Sequence, residues 1–179
     1  MVLIVLTGRP GIGKTTILKR ITSILKEKGT SVGGILTEEV REHGVRIGFD
    51  MLDVSSGLRL RLASIHGING PRIGRYSVDL SVCSKAASIL LDTDTDVIVF
   101  DEIGPMELLS DDVSDALKRL LNVEDKKNII VVVHRRFRHR MIYEYVKNAS
   151  ILIEVDTSNR EFLPSYISNQ IIDVTKLNR

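Results

Sequence analysis

Three glycines, a lysine and a threonine near the start of the chain have the types and spacing to hold a phosphate chain. Gly8-Arg9-Pro10-Gly11-Ile12-Gly13-Lys14-Thr15 matches G-x-x-x-x-G-K-[ST]. Such a loop turns sharply, so that several backbone N–H groups converge on one anion. Glycines at 8, 11 and 13 keep Cβ atoms out of that approach. The backbone amides of residues 9–15 are expected to hold the β- and γ-phosphates of a nucleotide, with Thr16 completing the binding segment. Lys14 would lie against the outer phosphates and stabilise the transferring group. The Thr15 hydroxyl would bind Mg²⁺. A helix beginning here adds its positive end to the site.

A second chemical group follows at 101–102. Asp96-Val97-Ile98-Val99-Phe100-Asp101-Glu102 carries four apolar residues into two acids. In a parallel α/β sheet, ligands bind at the carboxyl ends of the strands, so both carboxylates should emerge beside the phosphates. Asp101 then supports the magnesium ion, directly or through water. Glu102 separates two chemistries. A nucleoside or nucleotide kinase brings its own acceptor as nucleophile, whereas a hydrolase must orient and deprotonate a water at the γ-phosphate. A glutamate directly after the metal-partner aspartate suits the water, which favours hydrolysis over transfer. The kinase stands as the alternative, with an inserted hairpin at 45–63 available to shape an acceptor pocket.

The elements that must position these groups alternate between helical and strand patterns, which points to α/β architecture with a mainly parallel central sheet flanked by helices. The apolar run Val2–Leu6 predicts a strand leading into the loop. Ile17, Leu18, Ile21, Ile24 and Leu25 then recur at helical spacing, and Gly29 is placed to end that helix. Val32–Leu36 reads as a second strand. Residues 45–52 and 58–63 read as a hairpin joined across Ser55-Ser56-Gly57, with Arg59 and Arg61 alternating against Leu58, Leu60 and Leu62. A Gly/Pro-rich loop covers 67–74. Helices are predicted near 79–91, after Ser110, and near 139–147; strands at 96–100, 128–133 and 151–155. Residues 156–179 contain Pro164 and carry too weak a period to assign. The whole chain, 1–179, is expected to be one domain with the hairpin as its insertion.

Composition narrows the partners. A net charge of +2 gives no global basic field for nucleic acid, so nucleic acid is not an expected partner. The single Cys83 excludes an internal disulfide and shares an expected apolar helix face with Leu80, Ala87 and Leu90, which favours a buried thiol over a nucleophile. His43, His66, His134 and His139 show no paired metal spacing, so zinc is not expected. No signal peptide and no membrane-spanning stretch is legible, and a cytoplasmic monomer acting on a nucleoside triphosphate is the expectation.

The residues also carry a likeness. TGRPGIGKTT at 7–16, GGILTEEVREHGVRIGFD at 33–50, GRYSVDL at 74–80 and DEIGPMEL at 101–108, with a looser DTSNREFLP at 156–164, resemble the thermophile-type P-loop nucleoside-triphosphatases, the family that includes the vertebrate cancer-related nucleoside-triphosphatase. The resemblance implies a RecA-like core and Mg²⁺-dependent hydrolysis of ATP, GTP and pyrimidine triphosphates to the nucleoside diphosphates and phosphate. It also implies nucleotide contacts at Gly8–Thr15 and at Ile98, Val99, Phe100, Asp101, Glu102, Ile103, Gly104 and Pro105. Pro105 stands where members of that family often carry Lys, which removes a cation that could face the phosphates. No Asn-Lys-x-Asp motif specifies guanine.

One further run is unusually basic: His134-Arg135-Arg136-Phe137-Arg138-His139-Arg140. Following a strand, its first residues should leave the sheet on the phosphate edge. Three readings are open: a solvated helix start, an arginine finger, or a nucleic-acid contact. Arg41, Arg46, Arg75, Arg135, Arg136 and Arg160 are the finger candidates. Glu38, Arg41 and Arg46 read equally well as a surface ion-pair set.

Overall fold

The computed structural model describes residues 1–92, 94–122 and 127–177. Nine strands form one sheet: β1 (Leu3–Gly8), β2 (Val32–Glu42), β3 (Val45–Asp53), β4 (Arg59–Ser64), β5 (Arg72–Ile73), β6 (Tyr76–Val78), β7 (Val97–Ile103), β8 (Asn128–Val133) and β9 (Ile151–Val155). Five helices accompany them: α1 (Lys14–Glu27), α2 (Leu80–Asp92), α3 (Asp111–Asn122), α4 (Arg140–Asn148) and α5 (Leu163–Leu177). The strand order is β5-β6-β4-β3-β2-β7-β8-β1-β9. From β2 to β9 every pairing is parallel, and from β5 to β2 every pairing is antiparallel. The sheet is therefore mixed, with a parallel half that carries the phosphate loop.

The parallel half is built from strands that are apolar on both faces. Asn128-Ile-Ile-Val-Val-Val133 is buried throughout, as a strand covered on both sides must be. On one face α1 and α5 pack together over Ile4, Leu6, Val99 and Val132. On the other, α2, α3 and α4 cover Ile98, Phe100, Val131 and Val133. α1 ends as Gly29 predicts: its N–H bonds Lys26 O at 3.0 Å and the Thr30 N–H bonds Leu25 O at 3.0 Å, the reciprocal pair of a Schellman turn.

Several expectations need correction. The second strand runs on to Glu42, so residues 37–42 pair with β3 and the insertion is larger than a hairpin. β5 forms inside the 67–74 loop and pairs with β6. Leu80 is 41% exposed, because α2 begins at that residue, ahead of the turn that meets the core; Cys83, Ala87 and Leu90 are buried as expected. Burial pushes the Cys83 thiol up to about 12, which leaves it un-ionised at neutral pH. The unassigned C-terminal stretch holds α5, whose Leu163, Ile167 and Ile171 lie against α1. Pro164 sits in its first turn, where a missing N–H costs nothing. Among the described residues, no helix is long and apolar enough to cross a membrane.

Candidate functional site

Gly8 closes β1 beside Val155 at the end of β9. A Cβ there would come within 2.7 Å of the Val155 carbonyl oxygen, so glycine is required at this point by the neighbouring strand. Gly13 has φ 106°, a backbone that other residues rarely adopt, and a Cβ built on it meets no protein atom within 4 Å. The loop above α1 thus forms an open cradle whose floor is backbone. Gly13 directly precedes the helix, and the Ile17 N–H bonds its carbonyl at 2.9 Å. Arg9, Pro10 and Gly11 are exposed on the rim, Ile12 and Gly13 are partly covered, and Thr16 is exposed in the first turn of α1.

Lys14 is buried and folded back under this loop, its Nζ donating to Gly8 O at 3.3 Å and to Arg9 O at 3.4 Å. Its ammonium group is therefore held at the mouth of the cradle, within reach of Asp101, whose carboxylate it favours electrostatically. Asp101 comes from β7, which is separated from β1 by β8. Only 3% exposed, it is raised by burial to about 6; a hydrogen bond from the Thr15 hydroxyl and the charge of Lys14 oppose that rise, and the charge of Glu102 adds to it. Its Oδ2 is buried with no hydrogen-bond partner.

The two acids do not stand beyond the strand, as the sequence suggested; they belong to it. β7 continues to Ile103, and its register against β8 shifts between Asp101 and Ile103, leaving Glu102 in a bulge. The alternation resumes with Ile103 in the core, while Asp101 faces α1. Glu102 is partly exposed. Ile98, Val99, Phe100 and Ile103 are sealed in the sheet at 2% exposure or less, so their side chains carry Asp101 rather than face a nucleotide. Gly104 is buried and Pro105 partly buried after them, with the Gly104 backbone close to His134.

Sequence reasoning gave Thr37 no role of its own and did not find Glu107 as part of this region. The Thr37 hydroxyl donates to the Asp101 carbonyl at 2.7 Å, tying β2 to the acidic end of β7. Glu107 opens a short 3₁₀ turn, Glu107–Leu109, and lines a cavity with Thr37, Cys83 and Phe100. Its carboxyl is pushed up to about 8, chiefly by burial, then by the charges of Glu102 and Asp101, against hydrogen bonds from its own N–H and that of Gly104. The signal was the acid at the third place after Gly104 in an otherwise apolar stretch.

The arginines separate by position. Arg41 and Arg46 both pair with Glu39, while Glu38 pairs with Lys19 and Arg59, so the expected ion-pair set exists with other partners. Arg75 bonds Tyr76 and Arg160 bonds Glu161. Arg135 pairs with Glu154, and Arg136 is exposed. The basic run lies mostly ahead of α4, not in it: His139 caps the helix, its Nδ1 accepting the Met141 N–H at 3.2 Å, and stacks on Phe137. Only Arg140 enters the first turn. That explains how so basic a run tolerates a helix start.

Comparison with known proteins bears on the fold and the family. A family model described as NTPase matches residues 3–168. The nucleoside-triphosphatase THEP1 of Methanopyrus kandleri is 40% identical over 174 residues, covering 95% of each chain. That of Methanosarcina acetivorans is 37% identical over 175 residues, covering 96% of this chain and 98% of its own. The crystal structure of THEP1 from Aquifex aeolicus superposes with a TM-score of 0.78 at 29% identity, over 92% of this chain and 95% of the other. The solution structure of a human cancer-related nucleoside triphosphatase gives 0.76 at 32% identity, over 94% and 96%. The α/β fold with its phosphate loop is the fold these solved structures share, and the chain belongs to the NTPase family.

Proposed function

We propose that this chain is a Mg²⁺-dependent nucleoside-triphosphatase, releasing a nucleoside diphosphate and inorganic phosphate and tolerant of the base. The observation that carries the reading is the convergence on Asp101 of Thr15 and Lys14, from a loop two strands away. A buried carboxylate oxygen without a protein partner, beside a hydroxyl and under an open glycine cradle, is the donor set a hard divalent cation takes. Thr15 and Asp101 would hold it. When bound, Mg²⁺ neutralises charge on the outer phosphates.

The chain's own groups supply the rest. Backbone amides of residues 9–15 bind the β- and γ-phosphates, with Gly8 shaping the turn. Lys14 exchanges its two carbonyl partners for phosphate oxygens, a stronger charge-assisted pairing. Glu102, partly exposed in its bulge, orients a water and takes its proton. The matched relatives are named for nucleoside triphosphates rather than for one base, which supports a broad substrate range.

Glu102→Gln is expected to keep nucleotide binding and to lose phosphate release by about 10²-fold or more. Lys14→Ala is expected to lose both. Near-normal turnover by the first variant removes Glu102 as the base; normal hydrolysis by the second overturns the site. Labelled triphosphate, incubated with and without mono- and diphosphate acceptors, distinguishes hydrolysis from transfer.

A further inference from the structure

The antiparallel half of the sheet holds a cationic group that the hydrolytic site does not use. Glu39 accepts from Arg41 at 2.6 and 3.0 Å through one oxygen and from Arg46 at 2.6 Å through the other. Arg46 Nε and Arg75 Nε both donate to the Tyr76 phenol oxygen, at 3.1 and 3.2 Å. Arg75 Nη2 adds bonds to that oxygen at 3.1 Å and to the Arg46 carbonyl at 2.6 Å. The Arg46 guanidinium also lies over the rings of Phe49 and Tyr76, at 5.1 and 5.9 Å from their centroids.

Two guanidiniums thus share one carboxylate, and the third, Arg75, joins them through the Tyr76 phenol and the Arg46 carbonyl. Strand alternation puts the next acid along β2, Glu42, on the opposite face. Holding like charges this close is unfavourable, yet β2, β3 and β6 are organised to do it, using aromatic faces and a phenol oxygen that accepts from two cations. Among the described residues, Arg46 Nη2 and Arg75 Nη1 have no protein partner. Arg46 and Arg75 therefore each keep one terminal nitrogen for something else, while Arg41, whose Nη1 donates to the Gly44 carbonyl at 2.9 Å, adds its charge.

The place of the cluster indicates what that is. Thr37 touches the Asp101 carbonyl, and Glu39 lies two residues further along β2, roughly 7 Å beyond it. β3 stands two strands past β7, on the side away from β1, again roughly 10 Å. The cluster and the loop both stand at the carboxyl edge of the sheet, but Glu39 shares with Thr37 the face of β2 that α2 covers, whereas Asp101 faces α1, so a phosphate held by the cluster is a separate group from one held by the loop.

We propose that Arg41, Arg46 and Arg75 form a second anion site that takes a detached or separate phosphate group. Two species carry that group: inorganic phosphate leaving the loop, or the phosphate of a nucleoside monophosphate. The proposal rests on the reading above only for the source of the phosphate; the site itself is independent of turnover.

The test follows the side-chain Nε–Hε NMR signals of labelled full-length protein as inorganic phosphate is added, in the parent and in Lys14→Ala, which disables the loop. Saturable shifts of the Arg46 and Arg75 signals in both are expected. Arg75→Lys should weaken that binding by about tenfold, because an ammonium cannot replace the fork. Arg41→Gln, an exposed change at the hairpin tip that the fold tolerates, should weaken it about two- to fivefold and decides the matter if Arg75→Lys does not fold. Signals that do not saturate, or an affinity unchanged in Arg41→Gln, overturn the site. Repeating the titration with adenosine monophosphate assigns the source: tighter binding than phosphate identifies an acceptor, and equal or weaker binding identifies the leaving product. Normal hydrolysis by Lys14→Ala removes the loop as the hydrolytic site and leaves this one standing, whereas unmoved arginine signals remove this site alone.

Discussion

The Thr37 hydroxyl bonds the Asp101 carbonyl at 2.7 Å, so the strand that leads into the inserted half of the sheet also fixes the acid at the phosphate loop. Thr37→Val keeps the shape and deletes the donor. It should lower the urea-unfolding free energy by about 1 kcal/mol and reduce turnover more than nucleotide affinity. Equal loss in both kinetic quantities, or in neither, shows that Thr37 does not position Asp101.

Asp101 sets function against stability. Its folded value, raised by burial to about 6, means the carboxylate is held at neutral pH at a cost to the fold. Asp101→Asn removes the charge, so its melting temperature at pH 7–8 should match or exceed the parent's while metal-dependent hydrolysis disappears. A clear drop in melting temperature would show that the charge is compensated within the protein.

Glu107 predicts a pH slope. Its folded value is raised from 4.5 to about 8, so the folded chain retains a proton that the unfolded chain has released. That contribution is complete below 4.5 and fades as pH rises through about 8. Melting temperatures between pH 7 and 8, above most of the range where Asp101 titrates, should fall more steeply in the parent than in Glu107→Gln. Parallel curves would sink the assignment.

α5 should be indispensable to the α1 face. Ile167 is fully buried between the two helices. Ile167→Ala should cost about 2–5 kcal/mol in chemical denaturation, without removing any group of the site. A cost below about 1 kcal/mol would mean that α5 contributes little to holding α1 in place.

Much of the site was legible because its signals are local. A glycine at 13 before Lys14 and Thr15 states a turn, a helix start and a cation within a few residues, and the structure builds them so. β8 and β9 follow their apolar runs residue for residue. What failed was also local in cause. Pro164 obscured α5, although it sits in the first helical turn, which tolerates it. Residues 37–42 alternate too many charges to read as a strand, yet β3 supplies their hydrogen-bond partners. The acid at 107 gave no sign of burial, since its cover comes from α2 and β2.

The sequence by itself determined a glycine-rich turn and helix start at Gly8–Thr15, of the kind suited to phosphates, and two acids at the end of an apolar strand, because backbone turns and short periods are set by neighbouring residues. Only the tertiary structure decided that Asp101 meets Thr15 and Lys14 across an intervening strand, that Glu102 leaves the alternation in a bulge, and that three arginines gather around Glu39 and Tyr76. Those relationships depend on strand order and register, which arise from packing between segments far apart in the chain and leave no period within any one of them.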